Sequence, residues 1–521
     1  MIDATRTVAL GPERLAGMFF VPGAPVLPPW IEPDPLPGPS AAGPIVHLAT
    51  TGPDLNAPLR AALLDLIDRA EEKVFLASFL FADRAVTEAL ARKAERLRGG
   101  VYVLTALDRS FPMDVGEPED DEPGKREQID RNRRLQHFEN LRTLAKAGAW
   151  LRSAADLHAK LCVVDDRVAF VTSANATDVA YQKNPENGLL VREPTLAREL
   201  GRAFAQVFLH RFTHQSPPAA DLDVKKLHPD PGPPWRPMVF RRPDTVVATI
   251  GRDESSLLYA TLKLIDSARR ELILTAFSAV DLREHPVGLA LRAAVARGVR
   301  ILAVFPPDNR RSDRRETGAW LFGDAPHGAV TVAGCPRTHA KAMIADESHT
   351  LVWTGNLDGR HGYQDGFEVG LATSRPDVAS AVRDYVIVLA LAASHRAVFN
   401  PTLDTLADAY GAPSPLAGDW TVVLPPGSLW SPAALVELLR SVPVTFTRRS
   451  SELVVRIGES AELIASVDVQ RRTLRVERSS DRPSNGAPFD GYLRGCRLTV
   501  TGGGREMARP EKRRIGRRGR G

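Results

Sequence analysis

"LHAKLCVVDDRVAFVTSAN", residues 157–175, and "THAKAMIADESHTLVWTGN", residues 338–356, carry the same chemical pattern at the same spacing. In each stretch a histidine is followed two positions later by a lysine, then after four residues by an aspartate, and after six more by a segment ending in asparagine. The positions are His158, Lys160, Asp165 and Asn175 in the first stretch, and His339, Lys341, Asp346 and Asn356 in the second. A match at every spacing predicts an internal duplication.

The flanking sequence supports the duplication. "LLDLIDRAEEKVFLASFLF", residues 63–81, resembles "TLKLIDSARRELILTAFSA", residues 261–279, and each passes from an amphipathic helix into a short apolar run typical of a buried strand. A second helix and a further strand follow in both copies. This alternation predicts an α/β fold in which each repeat has a mixed or mostly parallel sheet with helices on its faces. We expect the two repeats to be related by a pseudo-twofold axis and packed into one catalytic unit.

Shifts in composition predict the domain boundaries. A Pro-rich segment covers residues 1–43, and a linker rich in Pro and Asp at 216–239 separates a first repeat at 44–215 from a second at 240–395. Short alternating runs such as "ELVVRIG" predict a small β-rich domain at 400–503. The Gly- and Arg-rich end, residues 504–521, is predicted to be a disordered basic tail.

Bulk properties restrict the class of protein. The chain has 521 residues, 43% of them hydrophobic, which is enough for two or three globular domains, and its formal net charge is +5. Its three cysteines are too few and too scattered for a disulfide framework and lack the spacing of zinc ligands. The N-terminus lacks the pattern of a signal peptide, and the longest apolar run, residues 385–393, is too short to span a bilayer. These features predict a cytoplasmic protein.

The residue types in the repeated pattern suit phosphoryl chemistry. A strand places alternate side chains on one face, so the His and the Lys two positions later point the same way. Lys and Asn can bind the non-bridging oxygens of a phosphodiester, and His can act as a nucleophile or a general acid near neutral pH. Displacement at phosphorus needs a nucleophile on one side and a proton donor on the other. Two copies facing each other would supply both, which predicts one active site built from two halves.

At these residues the chain resembles the phospholipase D superfamily, whose signature HxK(x)4D(x)6GSxN occurs twice per active site. The resemblance covers residues 44–395 and implies a phosphohistidine intermediate, no metal or other cofactor, and an acidic residue downstream of each motif that orients a histidine. Glu186 and Glu368 stand at those places. It also implies that Asp165 and Asp346 support the scaffold, and that the hydroxyl groups of Ser173 and Thr354 form hydrogen bonds near the phosphate.

The chain departs from the signature at three positions. Thr172 and Trp353 replace its glycine, and Thr354 replaces its serine in the second copy. Trp353 is the largest change. We interpret this indole as a packing residue, with a stacking face for a nucleic-acid base as the alternative. Histidines outside the motifs are interpreted as structural or surface residues: His47, His137, His349 and His361.

Arginine clusters follow the same strand in both repeats, and they bear on whether the substrate is a nucleic acid or a phospholipid. Guanidinium groups beside the cleft would suit a polyanionic backbone, and the Arg-rich tail would add further phosphate contacts. The alternative is a solvated helix face with internal ion pairs. The candidate substrate-binding residues are Arg131, Arg133 and Arg134 in the first repeat and Arg310, Arg311, Arg314 and Arg315 in the second.

These clusters favour a nuclease acting on DNA or RNA as the main interpretation. Superfamily members of this kind often serve in DNA restriction or phage defence, which is an implication of the resemblance alone. Two alternatives stay open: a cytosolic phospholipase D or phosphatidyltransferase that uses anionic phospholipid, and a non-catalytic nucleic-acid-binding component.

Overall fold

The computed structural model describes most of the two repeats and the strands of the C-terminal region. The described residues are 9–10, 16–31, 43–54, 56–108, 125–218, 221–230, 232–237, 244–308, 312–402, 405, 409, 420–423, 444–449, 452–457, 464–468, 473–477 and 498–501. The predicted basic tail, the acidic insertion at 109–124, and Arg310 and Arg311 lie outside them.

Two compact units contain these residues. One unit holds both repeats, in Gly17–Asn309 and Asp313–Phe399. The other holds strand β1 (Ala9–Leu10) and six strands after residue 400, which form one seven-stranded sheet in the order β1-β23-β27-β26-β28-β25-β24. The six strands are β23 (Trp420–Val423), β24 (Val444–Arg449), β25 (Glu452–Ile457), β26 (Ile464–Asp468), β27 (Thr473–Glu477) and β28 (Leu498–Thr501).

The N-terminal segment contributes regular structure, which the sequence analysis did not expect of its Pro-rich composition. Strand β2 (Met18–Pro22) pairs antiparallel with the last strand of the second repeat and forms the edge of that repeat's sheet. The physical reason is local. The run "MFFVP" is apolar, and its first four side chains are buried, whereas the prolines are concentrated after it.

The first repeat forms a nine-stranded mixed sheet in the order β11-β10-β6-β5-β4-β7-β8-β9-β3. Its strands are β3 (Ile45–Thr50), β4 (Val74–Ala77), β5 (Val101–Leu104), β6 (Trp150–Ala154), β7 (Leu161–Val164), β8 (Val168–Thr172), β9 (Glu186–Val191), β10 (Phe212–Ser216) and β11 (Lys225–Lys226). Its helices are α1 (Pro58–Asp68), α2 (Arg84–Ala94), α3 (Lys125–Lys146), α4 (Asp178–Gln182) and α5 (Pro194–His210). Strand β11 lies within the segment predicted to be an irregular linker.

The second repeat forms a ten-stranded sheet in the order β13-β12-β21-β19-β18-β14-β16-β17-β22-β2. Its strands are β12 (Asp244–Ile250), β13 (Glu254–Ser255), β14 (Glu271–Thr275), β16 (Arg300–Phe305), β17 (Val330–Gly334), β18 (Ala342–Ala345), β19 (His349–Trp353), β21 (Phe367–Thr373) and β22 (His395–Phe399), and a separate pair is formed by β15 (Ala279–Val280) and β20 (Leu357–Asp358). Its helices are α6 (Ser256–Ser267), α7 (Pro286–Ala296), α8 (Ser312–Phe322) and α9 (Pro376–Leu391), with a π-helical turn at His361–Asp365.

The two sheets share one topology. Read from β3 to β10, the first sheet has the same strand order and pairing directions as the second read from β12 to β22. In each, the two central parallel pairings follow βα crossovers, and the motif hairpin (β7–β8 or β18–β19) lies beside the first parallel strand. The predicted duplication and α/β class are therefore confirmed.

Three apolar layers hold this unit together. One core lies under α1, α2 and α3 on the first sheet, and a second lies under α6, α7 and α8 on the second sheet. The third core joins the inner faces of both sheets with α5 and α9. Because α5 and α9 pack in this shared layer, the apolar faces of both repeats are buried against each other, and the ends of the motif strands meet at one place.

Each motif aspartate fixes a hairpin to the turn before a neighbouring strand. Asp165 and Asp346 begin the β7–β8 and β18–β19 turns with φ of 54° and 49°. The Asp165 carboxylate accepts three backbone N–H bonds, each of 2.8 Å, from residues 71–73, and that of Asp346 accepts three of 2.7–2.9 Å from residues 269–271. These contacts agree with a scaffold role. Burial alone would raise the pKa of Asp346, but the backbone N–H groups outweigh it and lower the pKa.

Candidate active site

The two motif histidines are each held by a carboxylate of the other repeat. His158 Nδ1 lies 2.7 Å from Glu368 Oε1, and His339 Nδ1 lies 3.1 Å from Glu186 Oε1 and 3.3 Å from Oε2, its hydrogen-bond partner. Both glutamates are buried, with relative exposures of 0% for Glu186 and 1% for Glu368. The two glutamates therefore connect the halves crosswise. A hydrogen bond at Nδ1 fixes the ring orientation and leaves Nε2 as the nitrogen available for chemistry.

The backbone repeats this crossed arrangement. His158 N–H donates to Phe367 O at 3.2 Å, and Phe367 precedes Glu368. In the other half His339 N–H donates to Pro185 O at 2.9 Å, and Pro185 precedes Glu186. Each histidine is thus attached through both its backbone and its ring to the segment that carries its carboxylate.

The two motif lysines are buried between these pairs. Lys160 and Lys341 have relative exposures of 1% and 0%, and each ammonium donates to the carbonyl oxygen of its own histidine, His158 or His339, at 2.5 Å. Lys341 Nζ also lies 2.9 Å from His339 Nδ1. Burial lowers the pKa of both lysines, that of Lys341 to about 8, although the neighbouring glutamates oppose the shift.

The electrostatics place all these groups in one site. Burial lowers the pKa of His158, and the charges of Lys160 and Lys341 lower it further, against the effect of Glu368. Burial lowers the pKa of His339 as well, and both lysines add to the shift against the effect of Glu186. Each imidazole thus senses the ammonium of the opposite repeat, which requires the two half-sites to be close.

The carboxylates stay ionised in this environment. Burial alone would raise the pKa of Glu186, but His339, Lys341 and Ser173 outweigh it, so that the pKa is lowered. The pKa of Glu368 is lowered in the same way, with His158, Lys160 and Thr354 as the stabilising groups. Two buried ammonium groups and two buried carboxylates sum to zero charge when both imidazoles are neutral.

The hydroxyl groups of Ser173 and Thr354 form hydrogen bonds within the site, to the two buried glutamates. Ser173 Oγ donates to Glu186, and Thr354 Oγ1 donates to Glu368 at 2.5 Å. Each hydroxyl oxygen also accepts a backbone N–H from the residue after that glutamate, Asn187 or Val369. These hydroxyl groups therefore hold the carboxylates that orient the histidines, and hydrogen bonds near the phosphate stay a prediction.

The two motif asparagines have the features of ligand-binding groups. Asn175 and Asn356 have side-chain oxygens that are buried and have no hydrogen-bond partner among the described residues. A buried amide without a partner costs free energy unless a bound molecule satisfies it. Because a 180° rotation exchanges the amide O and N–H groups, either asparagine can present a donor to an anionic oxygen at this position.

Trp353 belongs to the core of the second repeat. Its relative exposure is 0%, and it packs in the apolar layer under α6 and α7. The packing interpretation is therefore the one that the structure supports, and no stacking face is offered to a base.

The arginines predicted to bind substrate are placed differently from one another. Arg314 lies with its guanidinium 4.6 Å from the ring centroid of Phe277 and 3.1 Å from Asp308, and the Phe277 ring is 4.9 Å from that of His339. Arg315 is buried to 1% exposure and packs over Phe19. Arg315 therefore does not lie on an exposed rim, but it lines the same pocket as Arg314, and its contact with substrate stays a prediction.

The arginines of the first repeat lie on α3. Arg133 and Arg134 are half-buried. The side chain of Arg131 lies outside the described residues, as do Arg310 and Arg311. The buried face of this helix includes His137 and Leu141, whereas Leu135, predicted to share that face, is 55% exposed. His137 accepts from Phe81 N at 3.0 Å, a structural role.

Two residues that contact the site were not found from the sequence. Asn187, directly after Glu186, bonds the backbone of Lys341, and the Tyr385 hydroxyl donates to Glu186 O at 3.1 Å. The signal that could have found Asn187 is a difference between the repeats, because Val369 follows the corresponding Glu368.

Residues 63–208 match the family model described as "Cardiolipin synthase, PLD-like domain". This match covers the first repeat, and the second repeat carries the same His, Lys, Asp and Asn spacing in the same site. The chain belongs to the phospholipase D superfamily. A curated superfamily relative, "Cardiolipin synthase A" of Pseudomonas putida (strain GB-1), is 26% identical over 328 residues, which span 60% of this chain and 62% of that protein.

Two solved structures are also similar to the chain. Phosphatidylserine synthase from Haemophilus influenzae Rd KW20 is 11% identical, with a TM-score of 0.45, over 68% of this chain and 87% of that chain. The phospholipase D family member Nuc from Salmonella typhimurium is 19% identical, with a TM-score of 0.23, over 31% of this chain and 91% of that chain. In the part of the chain that the structure describes, no helix is long and apolar enough to cross a membrane.

Proposed function

We propose that this protein cleaves or transfers a phosphodiester through a phosphohistidine intermediate, and that the phosphodiester belongs to a phospholipid. The observation that supports the chemistry is the crossed pair of His–Glu contacts, which gives two oriented imidazoles in one buried site. The lipid assignment replaces the nuclease favoured by the sequence alone. It is supported by the family model and the curated relative, both of which are described as cardiolipin synthases.

The reaction follows from two imidazoles with separate tasks. In the first step, Nε2 of one neutral histidine attacks phosphorus, a P–N bond forms, and the P–O bond to the leaving alcohol breaks while the second histidine gives that oxygen its proton. In the second step, the second histidine takes a proton from water or another alcohol, whose oxygen attacks phosphorus and breaks the P–N bond. Water gives hydrolysis, and an alcohol gives transfer.

Charge balance explains how a histidine with a lowered pKa can act as the acid. The charges of Lys160 and Lys341 balance those of Glu186 and Glu368, and burial disfavours any additional charge. A bound phosphodiester brings one negative charge. Protonation of one imidazole restores neutrality, so substrate binding should itself raise the histidine pKa and create the general acid.

An apolar pocket beside His339 supports the lipid assignment. It is a narrow cleft, part of it open to solvent, and its walls include Phe20, Phe277, Phe305 and Phe322, with Arg314 and Asp308 as the charged pair. Phe277 contacts the His339 ring on one side and Arg314 on the other. An apolar substituent on the phosphate would find aromatic walls here, whereas a sugar–phosphate chain would leave its polar groups unpaired.

The test compares substrates under one set of conditions. Purified protein would be incubated in chelator with phosphatidylglycerol vesicles, phosphatidylcholine vesicles, labelled DNA and labelled RNA, with His158→Ala and His339→Ala as controls. We expect histidine-dependent release or exchange of the lipid headgroup. Cleavage of nucleic acid with no lipid turnover would overturn the lipid assignment and leave the phosphohistidine chemistry standing. No histidine-dependent turnover of any of them would contradict both.

Nucleic acid is the second candidate because of the chain's charge. The net charge is +5, and the Arg-rich tail begins at Arg505. If nucleic acid is the substrate, the logarithm of its affinity should fall with the logarithm of salt concentration, by about 0.9 per duplex phosphate neutralised. Deletion of the chain after Gly504 should flatten that slope and leave turnover at saturating substrate intact.

A further inference from the structure

The two half-sites carry the same catalytic side chains but are supported by different contacts. Asn187 is fully buried, its Oδ1 accepts from Lys341 N–H at 3.0 Å, and its Nδ2 faces Lys341 O at 3.4 Å. The side-chain amide of Asn187 thus pairs with both the N–H and the C=O of Lys341 in the opposite repeat, as a neighbouring strand would do with its backbone. Val369 holds the corresponding place after Glu368 and has no polar side-chain atom with which to do the same.

A second contact strengthens the same half. The Tyr385 hydroxyl, on α9, lies 2.9 Å from Thr50 O and 3.1 Å from Glu186 O. When α5 and α9 are aligned by the prolines that begin them, Pro194 and Pro376, the residue opposite Tyr385 is Ala203. Both extra contacts therefore act on the half-site of Glu186, His339 and Lys341.

The consequence for Lys341 follows from its surroundings. Its ammonium lies 2.5 Å from the His339 carbonyl oxygen and 2.9 Å from the His339 ring, and the side chain is fully buried. The position of a buried cation is set by its backbone when the side chain is fully packed. A backbone shift of about 1 Å at such a group can reduce the rate about 10²-fold.

We propose that Asn187 is a positioning residue for Lys341. Through this contact the His339 half-site is held more rigidly across the repeat interface than the His158 half-site, which has Val369 at the corresponding position. This inference rests on the proposed phosphodiester chemistry at the site but does not depend on the lipid assignment. The rigid half keeps phosphate and imidazole aligned, while the other half, in which the His158 side chain is 29% exposed against 8% for His339, is open to the exchanging alcohol or water.

The experiment replaces Asn187 by the residue that the second repeat uses, in Asn187→Val. The substrate is bis(p-nitrophenyl) phosphate, a soluble phosphodiester. We expect kcat to fall about 10- to 100-fold with KM changed less than about threefold. Asn187→Gln keeps an uncharged amide that can accept from Lys341 N–H and should recover part of the loss. Asn187→Leu, which has nearly the shape of Asn, replaces Asn187→Val if the latter does not fold.

The matched control removes a buried hydrogen bond elsewhere. Thr87→Val deletes the bond from Thr87 Oγ1 to Asp83 O, 2.7 Å long and located on α2, and should lower stability without changing kcat. A wild-type kcat in Asn187→Val would overturn the positioning role.

A second measurement separates this proposal from the proposed function. In protein labelled with ¹⁵N-histidine, Asn187→Val should move the ring resonances and the pKa of His339 by more than those of His158, which senses Lys341 only through its charge. This result is read without turnover, so it decides the positioning role even if the wild-type protein cleaves no phosphodiester. Unchanged His339 resonances, or equal shifts in both rings, would contradict the proposal.

Discussion

The crossed His–Glu contacts make a prediction about which histidine responds when one glutamate is neutralised. In Glu186→Gln the carboxylate charge 3.1 Å from His339 Nδ1 is lost, while the shape is kept. At an effective dielectric constant of about 20, a charge pair at that distance is worth about 5 kcal/mol, and about 6 kcal/mol at the 2.7 Å of the Glu368–His158 pair. Because glutamine can still accept the hydrogen bond, we expect roughly half of this loss.

A loss of about 3 kcal/mol corresponds to a fall of about 10²-fold in kcat. Glu186→Gln and Glu368→Gln should both show it with bis(p-nitrophenyl) phosphate. The decisive assay is histidine ring NMR on ¹⁵N-labelled protein. Since Glu186 raises the pKa of His339, its neutralisation should lower that pKa further, and Glu368→Gln should do the same to His158.

The control is a buried carboxylate away from the site. Glu199 on α5 is fully buried and pairs with Arg202 at 3.1 Å, so Glu199→Gln should reduce stability and leave both histidine rings unchanged. If Glu186→Gln moved the His158 resonances instead, each glutamate would serve its own repeat, and the crossed arrangement would be refuted.

Three further predictions follow from the same contacts. Burial lowers the pKa of Lys341 to about 8, so kcat/KM should fall as pH rises through that value. The corresponding fall in kcat should occur at higher pH, because a bound anion favours the ammonium form. A pH–rate profile that does not fall at alkaline pH would contradict this. Activity should persist in excess EDTA, since two lysines and two asparagines would supply the charge and donors that a metal supplies elsewhere, and restoration by Mg²⁺ after its loss would count against this. Asp346→Asn should lower the free energy of unfolding by about 1–3 kcal/mol at pH 7 without changing kcat of the folded enzyme. Because the folded pKa of Asp346 is lowered, its contribution is present above the unfolded value of about 3.9 and lost as pH falls through the folded value, so denaturant titrations of mutant and wild type should converge at low pH.

Much of this architecture could be predicted from spacing alone. The distances between His158, Lys160, Asp165 and Asn175 recur in the second copy because a strand, a tight turn and a second strand have fixed lengths, and a hairpin that places a phosphate ligand at each end tolerates few insertions. The pairing of Glu186 and Glu368 with histidines was predicted as well. Alternation of apolar helices and strands predicted the α/β class correctly.

What spacing could not predict is which surfaces meet. Nothing within residues 157–186 indicates that Glu186 serves a histidine 153 positions later, because that choice is made by the packing of α5 and α9 between the sheets. The same limit applies to Arg315, which belongs to a charged run but is directed inward by its place on α8. The resemblance implied a hydrogen bond of the Ser173 hydroxyl near the phosphate, but its partner, the Glu186 carboxylate on the adjacent strand, could be identified only from the structure.

Because the His–Glu contacts are crossed, neither repeat contains a complete His–Glu pair of its own. A histidine in one repeat keeps its tautomer and orientation only while the other repeat is in contact, so separation of the repeats would disconnect both imidazoles at the same moment. Activity therefore depends on the docking of the halves as an all-or-none condition. Substitutions in one copy are constrained by residues about 150 to 210 positions away in the other copy. The two copies can therefore differ in sequence, but each residue at the interface must remain compatible with the residue that it contacts in the other copy.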